Sequence, residues 1–306
     1  MQRRFIDYLI ISFKGIAMGA ADAVPGVSGG TIAFISGIYE ELINTISQVN
    51  FSLIKTLRKE GLIAFWKQLN GSFLLALLIG VIVSYLSFMR LAKYLIEQHP
   101  ILIWSFFFGL IVASIYFVGK QITKWKLSTL VVLLFGAFIA YYITTLPALS
   151  DNENPMFLMF AGAIAICAMI LPGISGAFIL VMLGAYKTLS DALHDFDMKK
   201  VALFAFGAVI GLLSFSRVLK WLFKHYHNLT LSLLTGFIFG SLNKIWPWKE
   251  VITWRLNSKG EEIPQLEKSI SPFAFEHDPQ LIAALFLMAA GFLVIFILER
   301  IGSKQR

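Results

Sequence analysis

Apolar residues run through this chain in long blocks separated by short polar connections. Ten blocks stand out, at roughly 6–23, 27–46, 73–96, 101–119, 127–146, 156–171, 174–190, 201–222, 229–246 and 280–299. Several reach or approach the roughly 20 apolar residues a helix needs to cross the hydrocarbon core. The pattern predicts an all-α polytopic membrane protein. Residues 47–72 interrupt it with Lys55, Arg58, Lys59 and Lys67 among scattered aromatics, the composition of an interfacial amphipathic connection. Residues 247–279 are the longest polar stretch and carry Pro264, Pro272, Pro279 and a cluster of tryptophans. An extramembrane loop is expected there, with a short hairpin around Asn257-Ser258-Lys259-Gly260.

The chain repeats itself. Pro25-Gly26-Val27-Ser28-Gly29-Gly30 matches Pro172-Gly173-Ile174-Ser175-Gly176-Ala177. At the same spacing Gly15 falls on Gly162, Gly37 on Gly184, Tyr39 on Tyr186 and Leu42 on Leu189. Beyond the longer first connection, Arg90 falls on Arg217, Lys93 on Lys220, Gly109 on Gly236 and Ser114 on Ser241. Two halves follow, 1–150 and 151–306, each with five segments. An odd number of crossings puts the second half upside down, whether all five segments cross or the two around each Pro-Gly form a re-entrant hairpin. The expected architecture is an inverted repeat, each half with a Pro-Gly-broken helix hairpin, a common transporter plan.

Composition supports this reading: 58% of the 306 residues are hydrophobic and 14% charged, and mean hydropathy is +0.75. The net charge of +8 comes from Lys and Arg in the connections. No basic stripe interleaved with exposed aromatics is present, so nucleic acid is not an expected partner. Arg3, Arg4, Lys55, Arg58, Lys120, Lys124, Lys220, Lys224 and Arg300 lie on one set of connections, and 147–156 on the other set has none. Lys199, Lys200 and Lys268 run against the bias. The positive-inside rule then puts both termini in the cytoplasm. Gln2-Arg3-Arg4 and the apolar run after it imitate a signal peptide, but the run continues into the repeated motif and reads as a retained first helix. Cys167 is the single cysteine, and metal-binding Cys and His spacings are absent, so neither disulfide, metal nor cofactor is expected.

Candidate chemistry gathers at the Pro-Gly breaks. Proline and glycine there end one helix before another begins, and non-helical backbone at membrane depth needs surrounding protein or a water-filled cavity. The free N–H groups of Gly29, Gly30 and Gly176, with the hydroxyls of Ser28, Thr31 and Ser175, could receive an anion. The competing reading is close helix packing on small residues; the paired occurrence favours a site. Arg90 and Arg217 either snorkel to the headgroups or converge on the same anion from opposite faces. Asp22 has no acidic counterpart, since Met169 holds the matching position. It is either a coupling carboxylate or a helix cap, or it is salt-bridged to Lys14 or an arginine. Glu40, matched by Lys187, is a second coupling candidate, a partner for that lysine, or a solvated interfacial charge. The histidines and Trp246, Trp248 and Trp254 read as interfacial.

The run from Gly15 to Thr31, GIAMGAADAVPGVSGGT, resembles the signature of the bacterial PopT polyprenyl-phosphate transporters, and Leu171-Pro172-Gly173-Ile174-Ser175-Gly176 resembles the second motif of that family. The resemblance extends over nearly the whole chain in length and segment layout; 247–279 matches least. It implies movement of undecaprenyl phosphate from the outer to the inner leaflet of the bacterial cytoplasmic membrane, so that the carrier lipid is reused. The expected partners are a polyprenyl-phosphate lipid and membrane lipids, with no oligomeric state specified. One alternative is a transporter of a small soluble anion. Another is a lipid-pyrophosphate phosphatase, which would need an arginine beside the serine and clustered glutamates, where this chain has Gly29 and Gly176.

Overall fold

The structure is a computed structural model that describes residues 3–22, 28–146, 149, 152, 154–256 and 262–303. It is mostly helical. The first half holds α1 (Phe5–Asp22), α2 (Gly29–Ile35), α3 (Tyr39–Ser47), α4 (Phe51–Gln68), α5 (Gly71–Gln98), α6 (Pro100–Gly119) and α7 (Leu127–Thr145). The second holds α8 (Pro155–Ile170), α9 (Gly176–Met182), α10 (Tyr186–His194), α11 (Met198–Gly240) and α12 (Leu281–Ser303), with strands β1 (Lys249–Leu256) and β2 (Glu262–Ser269) ahead of α12. Among the described residues, Gly71–Phe88, Pro100–Gly119, Leu127–Thr145 and Met198–Ile245 are long and apolar enough to cross a membrane. The pair α9–α10, bent by 105°, adds a fifth if counted as one span.

The expected segments are met with two departures. The blocks 27–46 and 174–190 each divide in two, because Gly37 (φ 74°) and Gly184 (φ 65°) take a left-handed conformation that only glycine adopts without cost. As the two separate blocks predict, 201–222 and 229–246 lie within α11 as two helices that meet at a non-helical kink at Tyr226 (φ −134°, ψ 44°). Its matched position, His99, has nearly the same backbone angles (φ −136°, ψ 52°), and there Pro100 completes the break between α5 and α6. The fold is also not purely α. β1 and β2 pair antiparallel, with Lys249 opposite Ser269 and Trp254 opposite Pro264. The expected turn at 257–260 falls outside the described residues, between these strands.

Close helix crossings recur at matched positions. A Cβ on Gly15 would strike the Leu77 carbonyl and one on Gly80 the Ser12 carbonyl, which fixes α1 against α5. Their counterparts do the same: Gly162 against the Phe204 carbonyl and Gly207 against the Met159 carbonyl fix α8 against α11. The remaining crossings exchange partners between halves. Gly109 of α6 meets Met288 of α12, and its counterpart Gly236 of α11 meets Leu133 of α7. Reciprocally, Gly291 meets Phe106 and Gly136 meets Leu233. Small residues let helix backbones touch, a principal source of packing energy where lipid removes the hydrophobic drive.

Candidate functional site

The site is built where the start of α2 meets the Leu171-Pro172-Gly173 break. α1 ends at Asp22, and Ser28, in extended conformation, caps α2. The Asp22 carboxylate accepts a 2.7 Å hydrogen bond from the Gly29 N–H. The Ser28 hydroxyl accepts from the Gly30 N–H at 3.1 Å. These bonds satisfy amides that a helix start leaves open. Asp22 thus acts as a cap here; Lys14 instead donates to the Ser36 carbonyl at 2.7 Å.

The same residues grip the other break. Ser28 Oγ lies 3.2 Å from the Met169 carbonyl and 3.3 Å from that of Leu171. The Gly173 N–H donates to Thr31 Oγ1 at 2.9 Å. Gly30 packs on the Ile170 carbonyl with no room for a Cβ. Ser28, Gly30 and Thr31 are fully buried in this contact. Gly176 packs on the Ala165 carbonyl. Ser175 caps α9 through a long 3.4 Å bond from the Phe178 N–H and lines a small cavity with Thr144, Phe178 and Lys244.

The structure brings Asp22, Ser28, Gly29, Gly30 and Thr31 together with 169–173, and it places Arg217 and Glu40 elsewhere. Arg217 Nη2 donates to the Val49 carbonyl at 2.8 Å, just past α3. Glu40 is exposed and meets His227 Nε2 at 3.3 Å. Pro25-Gly26 and the Arg90 side chain lie outside the described residues.

A cavity of about 1880 Å³ opens beside α2, between α1, α4 and the ends of α5, α6 and α12. Arg3, Lys14, Lys67 and Lys120 line it with Ile35, Phe117, Glu41 and Glu299. Arg3 grips Glu41 with both guanidinium nitrogens at 2.6 and 2.7 Å, and Asn70 donates to the same carboxylate at 2.8 Å. In the sequence alone Lys14 is a candidate partner for Asp22. The available signal was a lone cation in the middle of an apolar helix, which marks a polar path or cavity by default.

A profile described as VCA0040-like, undecaprenyl phosphate translocase-like, matches residues 18–263. The chain belongs to this family. Its translocase-like sequence is 46% identical over 308 residues to a polyprenyl-phosphate transporter of Vibrio cholerae, covering 99% of this chain and 100% of that protein. A polyprenyl-phosphate transporter of Staphylococcus aureus is 33% identical over 253 residues, covering 76% of this chain and 84% of that one. The resemblance carried by the two Pro-Gly motifs therefore holds across the chain. No solved structure matches the translocase-like chain.

Proposed function

We propose that this protein translocates undecaprenyl phosphate from the outer to the inner leaflet of the bacterial cytoplasmic membrane, returning the carrier lipid for reuse. The full-length relationship to the V. cholerae polyprenyl-phosphate transporter carries the reading. The halves 1–150 and 151–306 act as inverted repeats with both termini cytoplasmic. Segment parity, the charge bias and the exchanged glycine crossings support that arrangement.

The headgroup binds between the hairpins, to Ser28, Gly29, Gly30, Thr31, Ser175 and Gly176, with Arg90 and Arg217 flanking. The prenyl tail stays in lipid, since a phosphate crossing hydrocarbon bare would cost far more than one held by donors and cations. The Ser28 and Thr31 hydroxyls are engaged by backbone groups of the other break, so the hairpins must part to admit a phosphate. Asp22 and Glu40 are the candidate coupling carboxylates. The test is clearance of surface-exposed undecaprenyl phosphate from cells carrying Arg217→Ala or Ser175→Ala at parental protein levels. Parental clearance in both would remove the site assignment. Release of inorganic phosphate by the purified protein would point instead to an enzyme.

A further inference from the structure

A second charged site lies under the β1–β2 hairpin. Lys244, in the turn after α11, and Lys249, at the start of β1, both reach the same oxygen of Glu267 at 3.4 Å. The Lys249 side chain is 11% exposed and also donates to the Lys244 carbonyl at 2.8 Å. Its ammonium lies 4.7 Å from the centre of the Trp104 ring, and that of Lys244 lies 5.0 Å from the centre of Phe178. Two cations share one carboxylate, so among the described residues one positive charge is left over, offset by two aromatic faces and the Lys244 carbonyl. Burying an ammonium is costly unless it is paired. Burial pushes Lys249 down to about 8 against the pull of Glu267, which leaves it charged at neutral pH.

This cluster borders a cavity of about 30 Å³ lined also by Thr144, Phe178 and Met182, room for one or two waters. Its position relates it to the large cavity. Ile35, Phe117 and Glu299 line the large one. Their matched positions, in the registers of Ser28–Ser175, Gly109–Gly236 and Gly136–Gly291, are Met182, Lys244 and Thr144, which line the small one. One member of a matched pair of cavities is open and the other is shut, and a surplus of buried positive charge sits at the shut one.

We propose that Lys244 and Lys249 form the extracytoplasmic receiving site for a phosphomonoester headgroup, with the Glu267 carboxylate occupying the phosphate position while the cavity is closed. The site rests on the orientation and transport proposed above. A phosphate dianion supplies the charge that one carboxylate cannot, and three acceptor oxygens for two ammonium groups.

The experiment measures binding of farnesyl phosphate, farnesol and inorganic phosphate to the full-length protein in nanodiscs at pH 6.5, where Lys249 is charged. The parent should bind farnesyl phosphate and not farnesol. Lys244→Gln/Lys249→Gln should weaken binding at least tenfold. Glu267→Gln should tighten it several-fold, because the competing carboxylate is gone; a cluster that merely pins the hairpin to the bundle predicts no tightening. If the double variant does not fold, Lys249→Met and Glu267→Gln decide the matter. A parent that binds farnesyl phosphate with variants that leave affinity unchanged would overturn this site and spare the transport reading. A parent that binds no farnesyl phosphate would overturn both. Inorganic phosphate binding as tightly as farnesyl phosphate would assign the site to free phosphate and overturn the lipid assignment.

Discussion

The bond from the Gly173 N–H to Thr31 Oγ1 ties the two hairpins together, and Thr31→Val isolates its worth. Valine keeps the shape of threonine and removes the acceptor. Thr31 is 0% exposed, so no water replaces the lost hydroxyl. Gly173 has φ +84° and sits in a turn outside α8 and α9; no other acceptor serves its N–H among the described residues. A buried donor left unsatisfied costs about 1–3 kcal/mol. Interhelical hydrogen bonds in membranes average only about 0.6 kcal/mol, because the unfolded state finds partners too. That average includes donors that can re-pair, which this one cannot in the folded state, so the higher range applies. At roughly 2–4 °C per kcal/mol, apparent Tm should fall by roughly 2–12 °C. Thr31→Ser keeps the acceptor and deletes one methyl, a loss of about 1 kcal/mol, so it should fall less. The assay is thermal unfolding of purified protein followed by monodispersity in detergent. A valine variant as stable as the parent, or a serine variant as unstable as the valine one, would refute the claim that this bond joins the hairpins.

Two further outcomes follow from the packing and the charge cluster. Gly80→Leu and Gly207→Leu should each lower apparent Tm by a similar amount, roughly 1–3 kcal/mol or more of overpacking. Gly119→Ala, whose Cβ would meet only Thr235 Cγ2 at 3.9 Å, should match the parent; unequal effects at Gly80 and Gly207 would break the equivalence of the two crossings. Lys249 gives a pH signature. Its folded pKa, about 8, lies below the unfolded value of 10.5, so the unfolded chain holds the extra proton between those values and stability rises with pH there. The penalty is at most about 3 kcal/mol and is fully present below pH 8. Relative to Lys249→Met, the parent should therefore gain apparent Tm between pH 8 and 10.5, and a flat difference would mean the ammonium is not buried.

Much of the helical layout was legible because a helix that meets lipid must carry a long apolar run, and such runs survive in any single sequence. The breaks were legible only where residue type announces them. Pro100 marks the first-half break, whereas its counterpart is His227, so the matching break at Tyr226 was legible only as a polar stretch between two apolar blocks. Gly37 and Gly184 sit inside unbroken apolar runs, where glycine equally signals packing. The site was legible in location and less so in role. Serine, threonine and glycine at a helix start suit an anion and suit a second hairpin equally well, and only the positions of the Met169, Leu171 and Gly173 backbone groups distinguish them. The Lys244–Glu267–Lys249 cluster was hidden because it depends on strand register. Lys249 reaches Glu267 only because β1 folds back on β2 with Lys249 opposite Ser269.

The two halves share a backbone plan but not its chemistry. Ser28 and Ser175 match, whereas Thr31 is matched by Phe178, Asp22 by Met169, Lys14 by Ala161 and Phe117 by Lys244. Matched backbone suits a carrier whose two end states are built from the same crossings. In such a carrier, unmatched polar residues would make the two end states unequal in energy. In the proposed transport cycle that inequality would set how fast a headgroup enters and leaves on each side, but it could not set the final leaflet ratio. A binding site shifts an equilibrium only through its differential affinity for the states it connects, and around a closed transport cycle those differences cancel. The inward movement of a lipid phosphate proposed above would therefore have to be drawn by its consumption on the cytoplasmic side or by a coupled ion. The asymmetry between the Lys14 cavity and the Lys244–Lys249 cluster is thus an argument about rate and loading, and the direction of transport must be sought in what the cycle is coupled to.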